Sequence, residues 1–70
     1  MNKSYILLRM YDSFCRGEGI VLNECCNACG ISVATFRRYI SFLREYFYEL
    51  YKAEIVYDGN AECYRLIYEN

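Results

Sequence analysis

Residues Gly30 to Arg44 read GISVATFRRYISFLR. A glycine-isoleucine turn leads to Ser32, a good helix cap, and then to an unbroken helical pattern. At helical spacing, Phe36, Tyr39, Ile40, Leu43, Phe47 and Leu50 fall on one broad apolar stripe. Opposite the stripe lie Ala34, Arg37, Arg38 and Ser41, with Thr35 on its edge. Such a helix has one face for a core and a second that is small and cationic. Small side chains permit close approach to a DNA groove, and arginine bonds either phosphate or the O6/N7 edge of guanine. The competing reading is an ordinary amphipathic helix whose arginines are solvated or paired with Glu24 or Glu45. Thr35 likewise reads as a phosphate contact or as a plain first-turn surface residue.

The segments on either side fit a compact helical unit. Ile6, Leu7, Met10, Tyr11 and Phe14 predict a helix from Ser4 to about Arg16, with Ser4 as its cap and Gly17-Glu18-Gly19 as its stop. Ile20-Val21 suits a stub of strand. A short helix is expected from Asn23, its candidate cap, to Cys29, and Gly30 supplies the left-handed residue that ends it. Ile31 is expected to plug the core. The third helix runs to about Tyr51, with Phe42 on the border of the stripe as a partly exposed aromatic. Glu54–Tyr57 and Cys63–Tyr68 then change to strand character around a turn at Asp58-Gly59-Asn60-Ala61. The fold expected is mainly α with a small β-hairpin, a single winged helix-turn-helix domain over residues 1–70.

Composition narrows the function. Seventy residues form one domain that buries only about 60% of its unfolded surface. Nine tyrosines and four phenylalanines supply much of its core. The tyrosines of the long helix (Tyr46, Tyr48, Tyr51) and of the hairpin (Tyr57, Tyr64, Tyr68) are expected mostly in the core or its half-buried shell, some of them forming a homodimer face. The net charge of −1 excludes a large basic surface. Gly30 to Arg44 nevertheless carries three arginines and no acid. Without histidine, a phosphate-cradling glycine loop or paired carboxylates, catalysis is not expected, and neither is a cofactor. Cys26-x-x-Cys29 has the spacing of half a zinc site, completed by Cys15 or Cys63, but both cysteines lie in a helical segment. Reduced structural thiols are the expectation and no metal is assigned. Lacking a membrane span or a secretory signal, the chain is expected in the cytoplasm.

The stretch ECCNACGISVATFRRYISFL resembles the helix-turn-helix of DeoR-type bacterial regulators and of the domains that precede WYL domains. In those families a short helix leads into G-[VI]-S, two residues, and T-[IL]-x-R-D-[IL]. Gly30, Ile31, Ser32, Thr35, Arg37, Arg38 and Ile40 match, and Phe36 matches conservatively. The later IVYDGNAECYRL is similar to the wing of these domains. Tyr39 stands where the family has aspartate, Cys63 stands where it has glycine, and the third helix is roughly one turn longer. The resemblance implies a small bacterial or mobile-element transcriptional regulator that binds duplex DNA. The third helix would enter the major groove with Ser32, Ala34, Thr35, Arg37, Arg38 and Ser41 nearest the DNA. Arg37 and Arg38 point about 100° apart, so one would read a base and the other hold phosphate. Asn60 in the wing turn would touch the backbone or the minor groove. These families usually carry an effector or oligomerisation domain after this module. The chain, ending at Asn70, is therefore expected to act as a stand-alone module, to dimerise through its own surface or to work as an accessory to another protein. The alternative reading is a winged helix used for protein–protein contact, suggested by the aromatic content and by Asp58 and Glu62 at the wing.

Overall fold

The computed structural model describes residues 2–68. Three helices and an antiparallel hairpin follow in the order of a small winged-helix-like fold: α1 (Lys3–Cys15), α2 (Leu22–Cys29), α3 (Val33–Tyr51), β1 (Ala53–Asp58) and β2 (Cys63–Tyr68). None of these helices is long and apolar enough to cross a membrane.

Helix α1 begins earlier than its pattern suggests. Ser4 is not the cap; Asn2 is, its Oδ1 accepting from the Tyr5 N–H at 2.8 Å. Asparagine caps as well as serine, and from position 2 it starts the helix before Ser4 is reached. The helix presents Ile6, Met10 and Phe14 to the interior. Gly17 then takes a positive φ of 77°.

Ile20 forms the strand stub as an antiparallel bridge to Tyr64, with N–H to carbonyl distances of 2.9 and 2.8 Å. The bridge brings the two segments so close that a Cβ on Gly19 would lie 2.7 Å from Cys63 Sγ. Immediately afterwards the chain turns into α2, with Val21 at the cap position and no side-chain cap bond. Asn23 is therefore inside the first turn and is not the cap. Once the bridge has fixed Ile20, the helix has only Val21 in which to begin.

The turn into α3 follows the sequence closely. Gly30 adopts φ 66°, a left-handed conformation that a side chain disfavours. Cys26 is buried, and its thiol donates to the Ser32 carbonyl at 3.8 Å, tying α2 to the start of α3. Ile31 packs against the core but is only half-buried. From α3, Phe36, Tyr39, Ile40, Leu43 and Phe47 enter the interior. Leu50, the last residue of the expected stripe, is instead 58% exposed. Its periodicity is right, but among the described residues no element covers that end of the helix.

Most aromatic residues outside the core are likewise more exposed than composition suggests. Tyr46, Tyr48, Tyr51, Tyr57 and Tyr68 lie at the surface, and only Tyr64 of the six is half-buried. Phe42 is partly exposed, as its border position implies. The core consists of Phe14, Phe36 and Phe47, fully enclosed, with Ile6, Met10, Ile20, Ala53 and Ile55 around them. Phe47 stacks on Tyr11 at 5.4 Å and meets the edge of Phe14 at 6.1 Å. These contacts fix α3 against α1, so its opposite face is held rigidly toward solvent.

Candidate nucleic-acid interface

Helix α3 begins at Ser32, whose Oγ accepts from the Thr35 N–H at 3.1 Å. The two hydroxyl oxygens of Ser32 and Thr35 are also 3.1 Å apart, in hydrogen-bonding geometry. One turn further, Arg38 Nη2 donates to Thr35 Oγ1 at 3.3 Å. Ser32, Thr35 and Arg38 thus form a connected ladder along one edge of the helix, each residue three after the last. The ladder orients one guanidinium without neutralising it.

Arg37 has different surroundings. It lines a groove of about 420 Å³ with Leu22 and Asn23 at the start of α2 and with Tyr57, Glu62 and Tyr64 on the hairpin. Among the described residues the ion pairs are Arg16 with Asp12 and Glu18, and Arg65 with Asp58. Arg37 and Arg38 have no ion-pair partner there, so the pairing with Glu24 or Glu45 does not form. Ala34 and Ser41 are exposed on the same side of the helix as the two arginines, and Thr35 is half-buried. Arg44, a turn beyond Ser41, is committed elsewhere: its Nε donates to the Ile55 carbonyl at 3.3 Å and ties α3 to β1.

Six of the seven candidate residues therefore lie together on the first half of α3 and its cap. Asn60 stands apart at the hairpin tip. Its backbone N–H, and that of Ala61, donate to Asp58 Oδ1 at 3.0 and 3.2 Å. These two bonds, followed by nearby Arg65, hold the Asp58 carboxyl below its ordinary pKa. Glu62 closes the turn in a left-handed conformation, φ 54°. The tip carries no cation, but Arg65 at 3.4 Å offsets the charge of Asp58.

Tyr57 and Asn23 enter the site only through the tertiary fold. Tyr57 meets the edge of Tyr64 at 5.1 Å, and Tyr64 meets Phe36 at 5.5 Å. This aromatic chain sets the hairpin beside α3 and brings Tyr57 to the groove that holds Arg37. Nothing in the local sequence marks either residue, since each is a tyrosine or asparagine among many of its kind.

Cys26 and Cys63 are buried, Cys25 and Cys29 are half-buried, and Cys15 is exposed. Burial first, and the neighbouring Cys29 thiol second, push the Cys25 thiol up to about 12, away from the reactive thiolate. Among the described residues no group of three or more metal-ligating side chains gathers. No protein-family model, curated protein or solved structure matches this chain.

Proposed function

We propose that this domain is a sequence-specific duplex DNA-binding module of a small transcriptional regulator, with α3 lying in the major groove and the hairpin alongside. One observation carries the reading: two guanidiniums without ion-pair partners among the described residues project from an exposed helix face whose neighbours, Ala34 and Ser41, are small. A solvated helix face needs neither small neighbours nor adjacent unpaired arginines; a groove-reading helix uses both. Arg38, oriented by Thr35, is the candidate for base-edge contact. Arg37, beside the start of α2, is the candidate for phosphate, which helix N-termini also favour. Ser32, Thr35 and Asn60 contribute neutral hydrogen bonds to the backbone. The resemblance of Gly30-Ile31-Ser32 and Thr35-Phe36-Arg37-Arg38 to DeoR-type regulators supports the same role, and with it a bacterial, cytoplasmic setting. In this role the domain binds and does not catalyse.

The test is selection of random duplex DNA by the purified protein, beside an Arg37→Ala/Arg38→Ala variant. A motif enriched by the natural chain and lost by the variant is the expected result. No enrichment at low salt from folded protein would refute the proposal. The second reading, a winged helix that contacts protein, is favoured by one observation: Leu8, Phe42, Tyr46 and Leu50 are exposed on another face. Salt separates the two, since phosphate contacts weaken steeply as salt rises and apolar contacts do not.

A further inference from the structure

Away from the cationic face, α1 and α3 leave a groove of about 470 Å³ between them. Leu7, Tyr11 and Leu43 form its floor, and Leu8, Phe42 and Tyr46 its walls. Phe42, Tyr46 and Leu50 are spaced four apart, so they form one stripe along α3. Leu8, 66% exposed, faces the stripe from α1. These apolar side chains are contiguous, unlike the scattered surface leucines that need no explanation.

We infer that the groove is a self-association surface, on which a second copy of the chain docks antiparallel about a two-fold axis crossing the helices near Tyr46. The charge layout selects this occupant and this orientation. Lys3 lies 5.6 Å over the Phe42 ring, while Tyr11 meets Tyr46 at 5.8 Å, so the two helices run side by side in the same sense. The groove therefore has a cationic end at Lys3. Glu49, seven residues beyond Phe42 on the same flank of α3, makes the other end anionic. Neither Lys3 nor Glu49 has an ion-pair partner among the described residues. A half-turn about an axis crossing the helices brings Lys3 of each copy to Glu49 of the other. An axis along the helices would set Lys3 against Lys3 instead. The surface is complementary to itself in the antiparallel arrangement alone.

The area suits a dimer. Four side chains about half exposed, with parts of Leu7 and Tyr11, offer roughly 500 Å² of apolar surface. Two such faces with their polar rims reach the range of about 1,200–2,000 Å² found in specific interfaces. On the helical wheel the Phe42–Tyr46 direction lies about 110° from that of Ala34, Arg37, Arg38 and Ser41. A docked copy thus leaves both cationic faces uncovered and turned to the same side of the pair. The dimer itself does not rest on the DNA reading.

Sedimentation equilibrium of the full chain, from low micromolar to submillimolar concentration, tests it. The natural chain is expected to dimerise, and Leu8→Glu to raise the dissociation constant at least about a hundredfold. Circular dichroism checks that this exposed position leaves the fold intact. Lys3→Glu and Glu49→Lys should each weaken the dimer by about tenfold, and the two together should restore it. A monomer throughout the range would overturn the inference and leave the groove to a different protein. A dimer indifferent to Leu8→Glu would overturn it too, as would charge reversals that do not rescue each other.

Discussion

Removing both guanidiniums of the proposed interface, by Arg37→Ala/Arg38→Ala, changes a quantity that the structure fixes in advance. The exposed face of α3 presents Arg37 and Arg38 without ion-pair partners among the described residues, and Arg44 with its Nε held by the Ile55 carbonyl. With Arg38 on a base edge, Arg37 and at most Arg44 neutralise phosphate, so a protomer covers one to two. The logarithm of affinity then falls against the logarithm of salt with a slope of about −0.9 to −1.8. Raising salt fourfold, from about 50 to about 200 mM, weakens binding by about 3.5- to 12-fold. The variant keeps at most the contact of Arg44, so its slope is shallower by about 0.9 and the same change weakens it by at most about 3.5-fold. A dimer bound at two half-sites doubles both slopes and preserves their ratio. Fluorescence anisotropy of a labelled selected duplex, titrated at several salt concentrations, measures both slopes. Circular dichroism confirms that the variant is folded. An unchanged slope in the double variant would refute the assignment, because it would place the phosphate contacts on other residues.

Phe47→Ala removes a fully buried ring and should cost about 3–5 kcal/mol. That is about half of the roughly 4–10 kcal/mol expected for a domain of this size, so the urea midpoint should fall by about half. Ser32→Ala removes the acceptor for the Thr35 N–H and should lower stability by about 1 kcal/mol in the same assay. It also removes the first rung of the ladder to Arg38, so affinity for the selected duplex should fall with it. Asp58 has a folded pKa below its ordinary 3.8, chiefly through the Ala61 and Asn60 N–H groups. Its contribution is full above that ordinary value and is lost as pH falls through the lower folded one. The stability gap between the natural chain and Asp58→Asn should therefore be present at neutral pH and close in acid; a gap constant with pH would count against this account. Alkylation near pH 8, followed by mass spectrometry, should modify exposed Cys15 first. Cys25 should follow slowly, since burial holds its thiol protonated; equal rates would contradict the packing described.

Local chemistry made much of the fold legible in the sequence. Gly30 fits a left-handed end to α2, Ser32 caps α3, and the period of the apolar residues marks the extent of α3 to Tyr51. Each depends on interactions within one turn of chain, which a sequence states directly. The hairpin was legible for the same reason, through its change of period and its Asp-Gly-Asn turn. The caps of α1 and α2 were not, because competing starts differ by little in local energy. At α2 the bridge from Ile20 to Tyr64, contributed by a strand forty-four residues away, decided the outcome.

The candidate site divides in the same way. Periodicity alone put Ala34, Arg37, Arg38 and Ser41 on one exposed face and set the two arginines in different directions. Helical spacing sets Arg38 one turn from the Thr35 hydroxyl, and only the tertiary structure placed Arg37 in the groove it lines with Tyr57. Exposure of Leu50 and the tyrosines was likewise decided at that level. An apolar period specifies which side of a helix avoids water, but not whether a neighbour is long enough to cover it. Helix α1 ends at Cys15, and beyond it the stripe of α3 continues uncovered. The sequence thus determined the faces of this protein, and the packing of one helix against another determined which of those faces remain free.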